Sequence, residues 1–154
     1  MTTAKLRETT TNVLCSVLEQ FAFLFPVPVS DEMLKIPEGT SIETTISFEG
    51  PNSGELTLLL PRPLCEQVAA NVLGVDEADE LVKQRRHDAA QELLNVICGQ
   101  FLTETYGEQQ VFDLAPPSSE TVTAERWKEL RADERSLGFS MAAGSLLFFP
   151  DIHG

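Results

Sequence analysis

Between Asp79 and Gly107 the chain carries a long uninterrupted helical pattern, and what must cover it limits the folds available. Ala90, Leu93, Leu94, Ile97 and Phe101 recur at helical spacing, with Cys98 at the edge of the same face. The pattern predicts a single helix over 79–106, stopped by Gly107. Such a face must be buried, and the neighbouring β-like segments are expected to supply the sheet that buries it. The opposite side is unusual. Asp88, Glu92, Asn95 and Gly99 lie at offsets of four, seven and eleven, which places them on one narrow stripe. Asparagine is a poor helix former because its amide competes for backbone hydrogen bonds, and a mid-helix glycine costs about 1 kcal/mol relative to alanine. A solvated face is one explanation of the stripe. The other is a docking surface that something approaches closely, although tight packing inside the fold would explain Gly99 equally well.

The rest of the pattern supports an α+β domain in which a β-sheet packs against this long helix and further helices. Residues 4–24 repeat Leu6, Val13, Leu14, Val17, Leu18 and Phe21 at helical spacing and predict a first helix ending before Pro26. The proline-rich segment after it is expected to be irregular, because proline lacks the donor that ladders need. SIETTISF alternates, with Ile42, Thr44, Ile46 and Phe48 on one side, and GPNSG followed by ELTLLL completes a β-hairpin. Pro63 opens a short helix through Leu64, Val68, Ala69 and Val72, capped by Gly74. QVFDLA is expected as a strand, PPSSE as a break, and ERWKELRADER as a surface helix or an extended loop. GFSMAAGSLLFFP reads as two apolar strands around Gly144. The whole of 1–154 is expected to form one domain.

Charge narrows the function. With 11 Lys+Arg against 24 Asp+Glu the net charge is -13, which disfavours nucleic acid and anionic membrane surfaces as partners. FAFLFPVPV is too short and too broken to span a bilayer, and MTTAKLRETTT lacks the apolar core of a secretory signal. Cys15, Cys65 and Cys98 form no CxxC pair, which favours a reducing compartment over a disulfide framework or a zinc site, and a cytoplasmic location is expected. His87, one of two histidines with His153, is expected to face solvent, Cys98 to join the core, and the acidic Asp76, Glu77, Asp79 and Glu80 to form a solvated loop rather than a metal cluster. Ser53 and Ser145 match no triad pattern.

The stripe therefore holds the candidate chemistry. An asparagine does not titrate in water, but its carbonyl and NH2 groups can hold a water molecule. A carboxylate one turn away can pair with a partner's cation. Together they suit a reaction that needs positioning more than proton transfer, such as hydrolysis of an already activated phosphoryl group. A hydrolase using Glu92 as general base would instead need a deep pocket and a raised carboxyl pKa.

DAAQELLNVICGQFL, followed by QVFDLAPP, resembles the signature of the CheX/CheC/FliY family of chemotaxis phosphatases. That signature is an Asp or Ser, a Glu four residues on, an Asn three further and a Pro about twenty later, the places held by Asp88, Glu92, Asn95 and Pro116 (or Pro117). The TNVLCSVLEQ helix, the ISFEGPNSGELTLLL hairpin and the closing FSMAAGSLLFF strands come in the order of a CheX-like domain. There is one copy of the motif, since Glu8 and Asn12 stand four apart, and one site resembles CheX more than two-site CheC. The resemblance implies dephosphorylation of a response-regulator receiver domain, typically phosphorylated CheY. It implies no cofactor on this chain, with Mg2+ on the receiver. By the same resemblance Asn95 would align the attacking water, Glu92 would pair with the receiver's active-site lysine, and Asp88 and Pro116 would be structural. It further implies a homodimer, expected to have sheet strands at or near the interface, since the apolar SLLFFP strand would be a hazard if left as a bare edge. The alternative is a non-catalytic CheX-like binding module in a chemotaxis or signalling complex.

Overall fold

The computed structural model describes residues 2–153 and consists of four helices and seven strands. In chain order these are α1 (Thr3–Ala22), β1 (Val27–Val29), β2 (Ser41–Glu49), β3 (Ser53–Pro61), α2 (Arg62–Leu73), α3 (Glu80–Tyr106), β4 (Asp113–Leu114), β5 (Ser118–Val122), α4 (Ala124–Arg131), β6 (Leu137–Met141) and β7 (Gly144–His153). All strand pairs are antiparallel, in the order β1-β6-β7-β3-β2-β4, with β5 also on β2. The α+β class expected from the sequence is the one observed.

The sheet is covered on both faces. Ile42, Ile46 and Phe48 of β2, Leu56, Leu58 and Leu60 of β3, and Leu146 and Phe148 of β7 join the buried sides of α1, α2 and α3 in one large core. On the other face Leu59 and Leu147 meet Trp127 and Leu130 of α4 and Leu34 of the segment after β1. Two-sided burial explains why LTLLL and SLLFF are continuous apolar runs, since residues pointing either way meet a hydrophobic layer. The Trp127 indole donates to the Ser41 hydroxyl at 2.8 Å, and Arg126 pairs with Glu43, so the polar atoms beneath α4 have partners.

Three expectations need correction. The proline-rich segment is not wholly irregular, because β1 pairs with β6 with Pro28 opposite Phe139. It is an edge strand, the place in a sheet where a missing donor is tolerated. QVFDLA shrinks to the two residues of β4, whereas the expected break PPSSE holds the start of β5. Both lie along β2: Thr45 faces Ser118 and Phe48 faces Leu114, so four steps on the outer chain match three on β2. The extra residue is a bulge that falls at Ala115–Pro117. The charged segment at 125–135 takes the helical one of its two expected forms, as α4 up to Arg131, and that helix buries Trp127 and Leu130. SLLFFP is not left as a bare edge, because β7 runs between β6 and β3.

Candidate functional site

α3 is the middle helix of its layer, with α1 on one flank and α2 on the other, lying over β2, β3 and β5. Its start is fixed by Asp79, whose carboxylate accepts from the Leu81 N–H at 2.9 Å, and by Glu80 in the first turn, where the helix dipole favours negative charge. It ends at Gly107, whose φ of 91° is in the left-handed region. The helix read from the sequence over 79–106 is therefore present as Glu80–Tyr106, with Asp79 as its N-cap and Gly107 as its stop. Val82, Ala89, Ala90, Leu93, Leu94, Ile97, Cys98, Phe101 and Leu102 are buried, so the helix is held along nearly its whole length. Beyond it, Phe112 packs edge-on against Phe48 (5.8 Å) and tilts on Tyr106 (5.4 Å), which secures the approach to β4.

That anchoring leaves one face open. Asp88, Glu92, Asn95 and Gly99 are all exposed. Among the described residues Asp88 has only a loose pair with Arg85 at 3.9 Å, both side chains more than half exposed, while Glu92 and Asn95 engage no side chain or backbone group. Glu92 and Asn95 are three residues apart, an axial separation of about 4.5 Å on a rigid helix. Gly99 separates the two explanations offered for it: a Cβ built there meets nothing within 4 Å, so no packing inside the fold requires a glycine. Only an approach from outside would use the missing side chain. The exposed setting also lacks the deep pocket that a Glu92 general base would need.

The neighbouring polar residues are structural. His87 is half-buried rather than solvent-facing, with Nδ1 2.8 Å from the Ser119 hydroxyl, which also accepts from the Gln91 amide at 2.8 Å. This clasp ties β5 to α3. A His and a Gln four apart, with a Ser in an extended segment, left too weak a sequence signal to foresee it. Arg86 pairs with Glu66 of α2 at 3.2 Å. Cys98 lies in the core as expected, and burial pushes its thiol up to about 12; burial does the same for Cys65. Pro116 stands two residues past the end of β4, after Ala115, close to where a strand-ending residue is expected. Ser145 lines a groove of about 780 Å³ with residues from the 33–40 segment, the start of α2 and the β6–β7 turn, to which α3 contributes nothing.

The family model described as chemotaxis phosphatase CheX matches residues 42–133, well over half of the chain and all of the motif region. The chain belongs to the CheX family. No curated protein sequence matches it. Among solved structures it is similar to the chemotaxis protein CheX from Vibrio vulnificus, with a TM-score of 0.72, 17% identity and 99% of each chain covered. It is similar to CheX from Desulfovibrio desulfuricans, with a TM-score of 0.69 at 16% identity over 97% of this chain and 98% of that one. The CheX in a CheX–CheY–BeF3–Mg2+ complex from Borrelia burgdorferi gives 0.67 at 21% identity, over 96% of this chain and 97% of that one. At these identities the solved structures establish a shared CheX fold along essentially the whole chain.

Proposed function

We propose that this protein dephosphorylates the aspartyl phosphate of a CheY-like receiver domain, with Asn95 orienting the water and Glu92 pairing with the receiver's lysine. The observation that carries the reading is the open stripe: an amide and a carboxylate, both without an internal partner, on a helix whose other side is locked into the core. Membership of a chemotaxis phosphatase family and likeness to the CheX of a CheX–CheY complex support the same partner class.

An aspartyl phosphate is an activated mixed anhydride, so its hydrolysis needs a water held in line with the phosphorus and little proton chemistry from the catalyst. The Asn95 carbonyl oxygen accepts a hydrogen bond from that water and turns its lone pair toward phosphorus. A P–O bond to water forms, the P–O bond to the receiver carboxylate breaks, and inorganic phosphate and free carboxylate are released. Mg2+ held by the receiver neutralises the phosphoryl oxygens. Glu92 anchors the receiver through its lysine, and a bare backbone at Gly99 lets the receiver surface approach the helix. A homodimer and a cytoplasmic location fit this reading.

The test is to phosphorylate a receiver domain from the same genome, add the protein with Mg2+, and follow loss of the aspartyl phosphate. Asn95→Ala should lower kcat by about a hundredfold with KM nearly unchanged, the size and pattern expected when one transition-state contact is lost. Glu92→Ala should raise KM and lower kcat. Full activity in Asn95→Ala would overturn the mechanism, and binding without acceleration would favour a non-catalytic module.

A further inference from the structure

The open face of α3 does not end at Asp88. Taking Glu92 as zero and about 100° per residue, Gly99 and Leu81 fall at about -20°, Asp88 at -40°, Asn95 at -60° and Arg85 at +20°. All six therefore lie within one arc of about 80°, running about 27 Å along the helix from Leu81 to Gly99. The added positions are an apolar side chain and a cation. Leu81 is 41% exposed, although the other large apolar residues of this helix are buried or partly buried. Arg85 is exposed, and its contact with Asp88 at 3.9 Å, between side chains 59% and 69% exposed, is too loose and too wet to hold it in place. Its neighbour Arg86 shows the contrast, since it is half-buried and committed to Glu66 at 3.2 Å.

Charge says what Arg85 would meet. The chain carries -13 overall, yet three of its 11 cations fall at Lys83, Arg85 and Arg86. A receiver's phosphorylation site is itself anionic, with a phosphoryl group and the carboxylates that hold Mg2+. An acidic protein presenting Asp88 and Glu92 to that site works against long-range repulsion, and a local cation on the same face offsets it.

We propose that Leu81 and Arg85 extend the docking face of α3 and select the receiver, Arg85 by pairing with an acidic side chain beside the phosphorylation site and Leu81 by covering an apolar spot next to it. This rests on the phosphatase reading for the identity of the partner. Arg85 lies two turns, about 10 Å, from Glu92, so it touches the rim of the receiver's site rather than the reacting atoms. It contributes equally to ground-state and transition-state binding, which makes it a KM residue rather than a kcat residue.

Lys83 provides a matched control, because it is exposed but points about 180° away from Glu92 around the same helix. Arg85→Glu and Lys83→Glu change the net charge equally. Their binding to a receiver loaded with beryllofluoride and Mg2+, and their kcat and KM on the phosphorylated receiver, should be compared with wild type and with Leu81→Ser. Arg85→Glu is expected to weaken binding and raise KM at least tenfold with kcat retained, Leu81→Ser about threefold, and Lys83→Glu less than twofold. Equal effects of the two charge reversals, or none from Arg85→Glu, would overturn the proposal while leaving the phosphatase reading intact. Wild-type protein that binds the loaded receiver in this pattern without accelerating dephosphorylation would keep the docking face and remove the catalytic reading. Wild-type protein that does not bind the receiver would remove both.

Discussion

Gly99 is the residue at which stability and function separate most cleanly. It sits in the interior of α3, exposed, with open space where a Cβ would be. Alanine there restricts the unfolded chain and suits the helix, so Gly99→Ala should raise unfolding free energy by about 0.5–1 kcal/mol, measured by urea denaturation. Gly99→Trp should fold as well as wild type but dephosphorylate the receiver poorly, because the indole stands where the partner must come close. Normal activity in Gly99→Trp would remove the close-approach explanation. The cysteines make a second prediction at this scale. Burial holds the Cys65 and Cys98 thiols up at about 12, and burial followed by the nearby Glu19 charge raises Cys15. The thiolate is the nucleophile, and with a pKa near 12 its fraction at pH 8 is on the order of one in ten thousand. Native protein should therefore alkylate very slowly at Cys65 and Cys98, and all three should react quickly in urea, as followed by intact mass. The linkage has a definite sign. A raised folded-state thiol pKa stabilises the fold below the ordinary thiol range, and that contribution is lost as pH rises from about 9 toward about 12.

At the scale of elements, α4 is more than its composition suggests. It contributes Trp127 to the smaller core and a hydrogen bond from the indole to the buried Ser41 hydroxyl. Trp127→Ala should cost about 3–5 kcal/mol through the cavity it leaves. Trp127→Phe should cost about 1–3 kcal/mol, largely from the orphaned hydroxyl. Circular dichroism is the suitable probe, since Trp127 is the protein's one tryptophan and both variants lose its fluorescence. The element also shows where sequence reading stops. α3 was legible to within a residue because its periodicity, the Asp79 start and the Gly107 stop agree, and the β2–β3 hairpin was legible because Ile42, Thr44, Ile46 and Phe48 alternate around a turn. β1 and β5 were not, because three residues around Pro28 and the largely polar SSETV after Pro117 become strands only when β6 and β2 offer their edges. Trp127 and Leu130 stand three apart among charges, which marks a helix but not that a sheet face lies beneath it. The candidate site was legible for a related reason: Glu92 and Asn95 are defined by helical spacing alone, whereas the Ser119 clasp depends on tertiary contact.

At the scale of the whole molecule, assembly depends on which sheet edge is open. β7 is interior, so the apolar closing strand is not the exposed one. The β4–β5 edge is protected by its bulge, by Pro116 and Pro117, and by Glu120, features that discourage strand pairing. The β1 edge is short and carries Pro28, but the side chains around it are apolar. Val27 is more than half exposed there, and so are Phe23, Phe25 and Met33 on either side of the strand. Apolar exposure around an unpaired edge is what a subunit interface leaves on an isolated protomer. If the protein is the expected homodimer, this apolar surface at the β1 end of the sheet is where the two copies are predicted to pack. Four strand spacings, about 19 Å, separate β1 from β2, on which α3 packs, so dimerisation leaves the Glu92–Asn95 face of each copy open. Light scattering at tens of micromolar should give twice the chain mass. Phe25→Asp with Val27→Asp should give a monomer with unchanged kcat on the phosphorylated receiver, whereas Leu114→Asp on the opposite edge should remain a dimer. A wild-type monomer would rule out the assembly, and dissociation caused by Leu114→Asp alone would move the interface to the β4–β5 edge.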